Sequence, residues 1–418
     1  MLYELFQWLD TRYDLPGAGL WSFITFRAGA GMLVSLIISL IFGGRIIRFL
    51  RRLQIGEDIR DLGLEGQLQK RGTPTMGGVI IIMGIVIPVL LVADLENIYI
   101  LLLLLVTTWM AIIGFVDDYI KVFKKNKAGL SSKSKIVGQV GCGFIVGLAM
   151  MWSNEVVVRM DAEKADLLDY PVVGNSYVVK DAKGDFTEVV NAKAYVTNMP
   201  FFKDNLIDYA KILPLESDLA NRYGWIIFIP LVIFIITAVS NAANLTDGLD
   251  GLATGVSSVA ATTLGVFAYV SGNVILASYL SVLYLPGAGE LVVFTACFLG
   301  ACTGFLWYNA YPAQVFMGDT GSLTLGGIIA TLAILLRKEW LLPVLCGVFL
   351  AENLSVMLQV AYFKYTKRKY GEGRRIFLMS PLHHHFQKQG MPEAKIVTRF
   401  WIVSILLAVL AVLTLKIR

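Results

Sequence analysis

Three places along the chain set aspartates where a phosphate-handling cation could be held: the adjacent Asp117 and Asp118, the spaced pair Asp247 and Asp250, and Asp319. Their carboxylate oxygens are hard ligands of the kind Mg²⁺ takes, often one or two carboxylates beside substrate phosphates. Asp247 and Asp250 lie in NAANLTDGLDG (241–251) and Asp319 in FMGDTG (316–321), where glycines and asparagines interrupt apolar runs and supply oxygen-rich turns. Cations stand close by. Lys70 precedes the glycine-rich GTPTMGG (72–78), Lys121 follows Asp117 by four residues, and Lys133 and Lys135 lead into an apolar run. All three histidines are consecutive, His383, His384 and His385 in SPLHHHF (380–386). Three successive side chains cannot share one helix face, so this cluster suits phosphate hydrogen bonding or proton handling better than a tetrahedral zinc site.

The elements that must position these residues are membrane spans. With 56% hydrophobic and 16% charged residues, 418 residues hold more apolar surface than a soluble domain can bury. Nucleic acid is not favoured as a partner, because the net charge of +5 is distributed among loops between apolar runs. The four cysteines fall inside apolar runs without metal or redox spacing. No cleavable signal is expected, since Asp10, Arg12 and Asp14 precede the first apolar run.

Ten runs approach the ~20 apolar residues of a bilayer-crossing helix: 21–43, 77–93, 98–116, 136–153, 224–241, 252–271, 291–308, 321–336, 341–364 and 396–415. The expected fold is an all-α polytopic membrane protein of one domain, 1–418. Loops 44–76, 117–135 and 365–395 carry 20 Lys and Arg against 5 in the opposite-side segments, which places the former in the cytoplasm and both termini outside. The polar segment 154–223 is then an external insertion. Within it, residues 175–190 alternate around Lys183-Gly184-Asp185 and predict a small β-hairpin.

With this topology the third, fifth and seventh spans run inward, and each ends in aspartate. An anion at a helix C-terminus loses roughly 0.3–1 kcal/mol instead of gaining it. One such aspartate is ordinarily a solvated boundary residue; three repeats argue for a shared acidic pocket that a cation stabilises. For Lys124, Lys125, Lys127 and the basic cluster at 367–375, positive-inside topology and anionic lipid are sufficient explanations.

The strings GTPTMGG (72–78), GFVDDYIK (114–121), NLTDGLDGLA (244–253), FLWYNAYPAQVFMGDTGSL (305–323) and SPLHHHF (380–386) closely resemble the phospho-N-acetylmuramoyl-pentapeptide transferase family, within the polyprenyl-phosphate N-acetylhexosamine-1-phosphate transferase superfamily. The resemblance implies transfer of phospho-N-acetylmuramoyl-pentapeptide from its UDP derivative to undecaprenyl phosphate, giving lipid I and UMP, at a cytoplasmic site of a bacterial inner-membrane homodimer. Carried over by position, Asp319 looks like the Mg²⁺ ligand and Asp117 and Asp118 like the catalytic pair. Lys70, Asp247, Gly248, Leu249, Asn309 and Phe316 resemble the uridine-binding set, with Phe316 stacking on uracil. Thr75, Lys121, Lys133, Asn244, Asp250 and His383 to His385 match further positions tied to activity or substrate contact. The insert 154–223 is longer than expected for the family. A related transferase using an N-acetylglucosamine-1-phosphate donor is the alternative enzyme reading, which the triple histidine disfavours. A transporter or ion channel is the alternative from another class, disfavoured because the acids lie at one membrane face instead of mid-span.

Overall fold

A computed structural model describes residues 1–53, 70, 72–124, 126, 128–180, 186–199 and 206–415. Helices occupy all ten predicted runs: α1 Ile24–Leu53, α2 Gly78–Val92, α3 Ile98–Val122, α4 Ser132–Trp152, α5 Trp225–Thr246, α6 Leu252–Ser271, α7 Glu290–Asn309, α8 Gly318–Leu335, α9 Gly347–Tyr370 and α10 Glu393–Leu413. Eight are long and apolar enough to cross a membrane. The ninth run is broken, because Glu339–Leu345 meets α9 at a 78° bend. The remaining one, α2, has 15 residues, about 22 Å of helix, short of the ~30 Å hydrocarbon core. Its Ile80, Ile81, Ile85 and Val89 are buried, so α2 is anchored by packing inside the bundle and not by length.

Two spans outrun their predicted ends in a way that matters for the site. The first continues to Leu53 and the third to Val122, so Asp117 and Asp118 belong to the last turns of α3 and not to a loop. Hydropathy stops at the first charged residue; the helix does not, because its carboxylates find partners on neighbouring elements.

α8 is the central post, buried from Thr320 to Leu335 and packed against α3, α5 and α6, while α7 packs on α1, α2 and α6. Two glycines bring backbones together where the site begins. A Cβ on Gly114 of α3 would lie 2.3 Å from the Asp319 carbonyl oxygen, and one on Gly78 of α2 would lie 2.2 Å from the Gly321 nitrogen. Only hydrogen fits there. α2 and α3 therefore sit directly against the start of α8.

At the opposite end, the predicted hairpin is present: β2 (Tyr177–Lys180) pairs antiparallel with β3 (Phe186–Ala192), in register Lys180 to Phe186. Its turn, Lys183-Gly184-Asp185, lies outside the described residues. The insertion is larger than one hairpin, since β1 (Val158–Asp161) adds to β3 and a second ribbon pairs β4 (Val196–Asn198) with β5 (Leu206–Asp208). β1 and β4 are too short to show alternation in the sequence. β4 docks on the end of α8, where Thr197 donates to the Arg337 carbonyl oxygen and to Glu339, and Lys338 donates to Asn198. Near this end, Arg27 of α1 is closed against Glu290 of α7 by N–H···O contacts of 2.7 and 2.5 Å. The four cysteines are free and buried.

Candidate active site

The acidic residues gather at the other end of the bundle. Asp117 and Asp118 come from the last turns of α3, and Asp319 from the first turn of α8, which the Gly114 contact draws against α3. One carboxylate oxygen from each of the three lies within 4.8 Å of the others, a spacing that admits a metal ion. The adjacent pair divide their work. Asp118 accepts from Asp319 N at 3.1 Å, Thr320 N at 2.9 Å and Thr320 Oγ1 at 2.6 Å, and so caps α8 from another helix. Asp117 is buried and pairs with Lys121 Nζ at 2.5 Å and Lys135 Nζ at 3.0 Å, while accepting from Leu130 N at 2.6 Å. Both lysines also reach Asp319, at 3.2 Å from Lys121 and 2.6 Å from Lys135.

Asn244, in the last turn of α5, donates to Asp319 at 3.0 Å and to Ser322 at 2.8 Å. Asp247 follows in the loop between α5 and α6, outside the three-carboxylate group but within its field. Although part of its surface stays open, burial and the carboxylates of Asp319, Asp118 and Asp250 hold its carboxyl well above the usual value.

A second cluster adjoins the first. Lys70 donates to Asp250 at 2.6 Å and to Glu393 at 2.6 Å, and its ammonium lies 5.8 Å from the Phe316 ring centre. Asp250 also accepts from Ala313 N at 3.0 Å. The GTPTMGG stretch is laced to the segment around Phe316 by backbone bonds, Phe316 N to Pro74 O and Gly77 N to Phe316 O, both 2.8 Å, which carry Thr75 alongside Phe316. Asn309 is buried with its amide committed to protein: it accepts from Gly251 N and Thr254 and donates to Val315 O. It braces two motif loops together. Leu249 is buried and Gly248 exposed in the same turn.

The three histidines occupy a short helix, Leu382–Lys388, and diverge as their spacing requires. His383 is fully buried, with Nδ1 3.2 Å from Glu352 of α9, and its Nε2 lies where a Cβ on Gly248 would come within 2.2 Å. His384 pairs with Gln387 at 2.8 Å, and burial together with neighbouring His383 pulls it down to about 4. It is neutral at pH 7. His385 accepts from Leu378 N and contacts Gln389, so its ring organises its own loop.

Most sequence-selected residues thus converge. Lys133 does not join them: it is exposed, and among the described residues Lys135, one turn-half further along α4, makes the contacts with the acids instead. Helical phase decides between the two lysines, and that phase depends on how α4 packs. Sequence reasoning missed Glu352 and Glu393. Glu352 carried a usable signal, an acid within an apolar run; Glu393 sits in an ordinary polar approach to α10 and carried none.

A bundle of membrane-spanning helices with carboxylates and lysines converging at one end defines an integral membrane protein equipped for anionic substrates. Comparison with known proteins narrows the class: residues 193–337 match glycosyl transferase family 4, and residues 70–82 match the phospho-N-acetylmuramoyl-pentapeptide-transferase signature 1. Proteins named phospho-N-acetylmuramoyl-pentapeptide-transferase from Flavobacterium psychrophilum, Parabacteroides distasonis and Porphyromonas gingivalis are 59%, 54% and 51% identical, each over the whole of both chains. The chain belongs to the phospho-N-acetylmuramoyl-pentapeptide transferase family. These matches run end to end, so the insertion 154–223 is not peculiar to this member.

Proposed function

We propose that the chain transfers phospho-N-acetylmuramoyl-pentapeptide from UDP-N-acetylmuramoyl-pentapeptide to undecaprenyl phosphate, giving lipid I and UMP, at the cytoplasmic face of a bacterial inner membrane. The observation that carries this reading is the meeting of Asp117, Asp118 and Asp319 at one end of the bundle, ringed by Lys121 and Lys135, in a chain whose relatives bear that name throughout their length. The excess of Lys and Arg in the loops at this end supports a cytoplasmic orientation, with both termini outside.

Mg²⁺ fits the three-carboxylate group, which offers only hard oxygen donors. Asp319 and Asp117, beside Asp118, are the residues that would hold it; when bound it would neutralise charge on the donor diphosphate and the departing UMP. The chain's own residues do the rest. Lys121 and Lys135 hold anionic oxygens beside the carboxylates, which lowers the repulsion between two phosphorylated substrates. Lys70, Phe316 and the Asp247–Gly251 turn take the nucleoside end, with the Phe316 ring beside the Lys70 ammonium. The acceptor is a phosphate with a second pKa of ≈ 6, so it is largely ionised at neutral pH and a strong base is unnecessary. Asp117 orients the acceptor oxygen or takes its remaining proton, His383 fixes the Gly248 turn, and attack falls directly on the β-phosphorus. The resemblance also carries a homodimer, which the mass of the detergent-solubilised protein tests.

The deciding experiment is UMP release from the defined donor and undecaprenyl phosphate, with Mg²⁺ and after chelation. Metal-dependent release is expected. Full turnover in chelator would remove the metal role, and preference for UDP-N-acetylglucosamine would overturn the donor.

A further inference from the structure

We infer that Glu393 is a positioning residue for the nucleotide donor, acting through Lys70; this rests on the donor-binding role proposed above for Lys70. A single oxygen of Glu393, Oε1, receives Lys70 Nζ at 2.6 Å and the backbone N–H of Asp250 at 2.8 Å. Those partners are 323 and 143 residues away in the chain, so this one atom ties the first motif and the Asp247–Gly251 turn to the start of α10. The same ammonium donates to Asp250 Oδ1 and faces the Phe316 ring. A lysine side chain is a point charge on a flexible four-carbon stem. Held from two directions, it keeps one orientation toward the ring; held by Asp250 alone, it regains rotamers that ligand binding must then freeze.

Docking of α10 does not require this contact. Ile396 and Val397 are buried, and Trp401 fills the space over Gly255, where a Cβ would lie 2.1 Å from the indole. Glu393 stands in the first turn of α10, where the helix dipole attracts a negative side chain. Its charge is turned toward the site while the apolar face of the helix does the packing.

The test is steady-state UMP release by full-length protein in detergent, comparing Glu393→Gln, Lys70→Ala and the double variant. Glu393→Gln keeps an amide oxygen for Asp250 N but removes the charge facing Lys70, so the turn is preserved. Losing a charge-assisted hydrogen bond raises the donor KM roughly tenfold, with kcat and the KM for undecaprenyl phosphate close to those of the parent. The double variant should be no worse than Lys70→Ala alone, an outcome that a merely structural role would not produce. Glu393→Asp, which retains the charge on a shorter stem, should fall between parent and Gln, and serves alone if the Gln variant does not fold. A raised donor KM in Lys70→Ala beside a normal one in Glu393→Gln overturns the inference alone. A normal donor KM in Lys70→Ala overturns the donor-binding role and the inference with it. Additive effects, or a fall in kcat at unchanged KM, also overturn it.

Discussion

Among the described residues around Asp319 and Lys70, six carboxylates, from Asp117, Asp118, Asp247, Asp250, Asp319 and Glu393, are set against three lysines, Lys70, Lys121 and Lys135. At the opposite end of the bundle, Arg27 is paired with Glu290, whereas Lys338 and Glu339 are hydrogen-bonded to the neutral side chains of Asn198 and Thr197. Both ends place ionisable groups in a low-dielectric setting, where an unpaired charge is costly. At the insertion end Arg27 and Glu290 complete an ion pair, while Arg337 Nη1 and Glu339 Oε1 are buried without a hydrogen-bond partner among the described residues. At the Asp319 end carboxylates outnumber lysines among the described residues, and burial together with these neighbouring carboxylates holds Asp247 above its usual range. Charge paired within the fold secures structure, as Arg27 and Glu290 do, whereas the surplus of carboxylates around Asp319 among the described residues is one that a bound cation would offset.

This contrast breaks first at Asp319. Asp319→Asn should lower UMP release by roughly a hundredfold or more, because it removes a charge acting on the transferring group, while the variant still purifies as a folded protein. Near-normal turnover at ordinary Mg²⁺ would erase the distinction between the two ends. Glu290→Ala should do the reverse: it strands Arg27, costing about 3 kcal/mol of stability in thermal or denaturant unfolding, and leaves the donor KM unchanged. A shifted KM would show that the insertion end reaches the chemistry.

Asp118 sharpens the comparison because it belongs to both categories. Asp118→Ala removes the cap from α8 and should cost about 1–2 kcal/mol of stability in addition to activity, so a melting curve separates it from Asp319→Asn. At pH 7 the smallest expected effect lies at His384. Its value in the folded protein is depressed to about 4 from an ordinary 6.5, so protons bind the unfolded chain first as pH falls. The native state therefore loses stability between pH 6.5 and about 4, and His384→Gln should flatten that part of the stability curve. An unchanged acid limb would mean that another group sets it.

Much of this was readable before folding, for identifiable reasons. Apolar runs long enough to span a bilayer announce helices by length, and all ten are present, although hydropathy could not see that α3 continues through Asp117 and Asp118 or that the run 341–364 contains a 78° bend between Leu345 and Gly347. The alternating direction of successive spans puts Asp117, Asp247 and Asp319 at one end of the bundle, which follows from the sequence without any knowledge of contacts. The hairpin at 175–190 was visible as alternation, while β1 and β4 were too short to be.

Sequence by itself determined which residues carry charge, where apolar length forces a span, and which end of the bundle each acid occupies, because these follow from local composition and helix direction. Tertiary structure decided how charge is shared: that Lys135 and not Lys133 meets the acids, that Asp118 caps α8 while Asp117 faces the lysines, and that Glu393 and Glu352 reach back to Lys70 and His383. Those choices depend on helix phase and on contacts between residues far apart in the chain, which only packing sets.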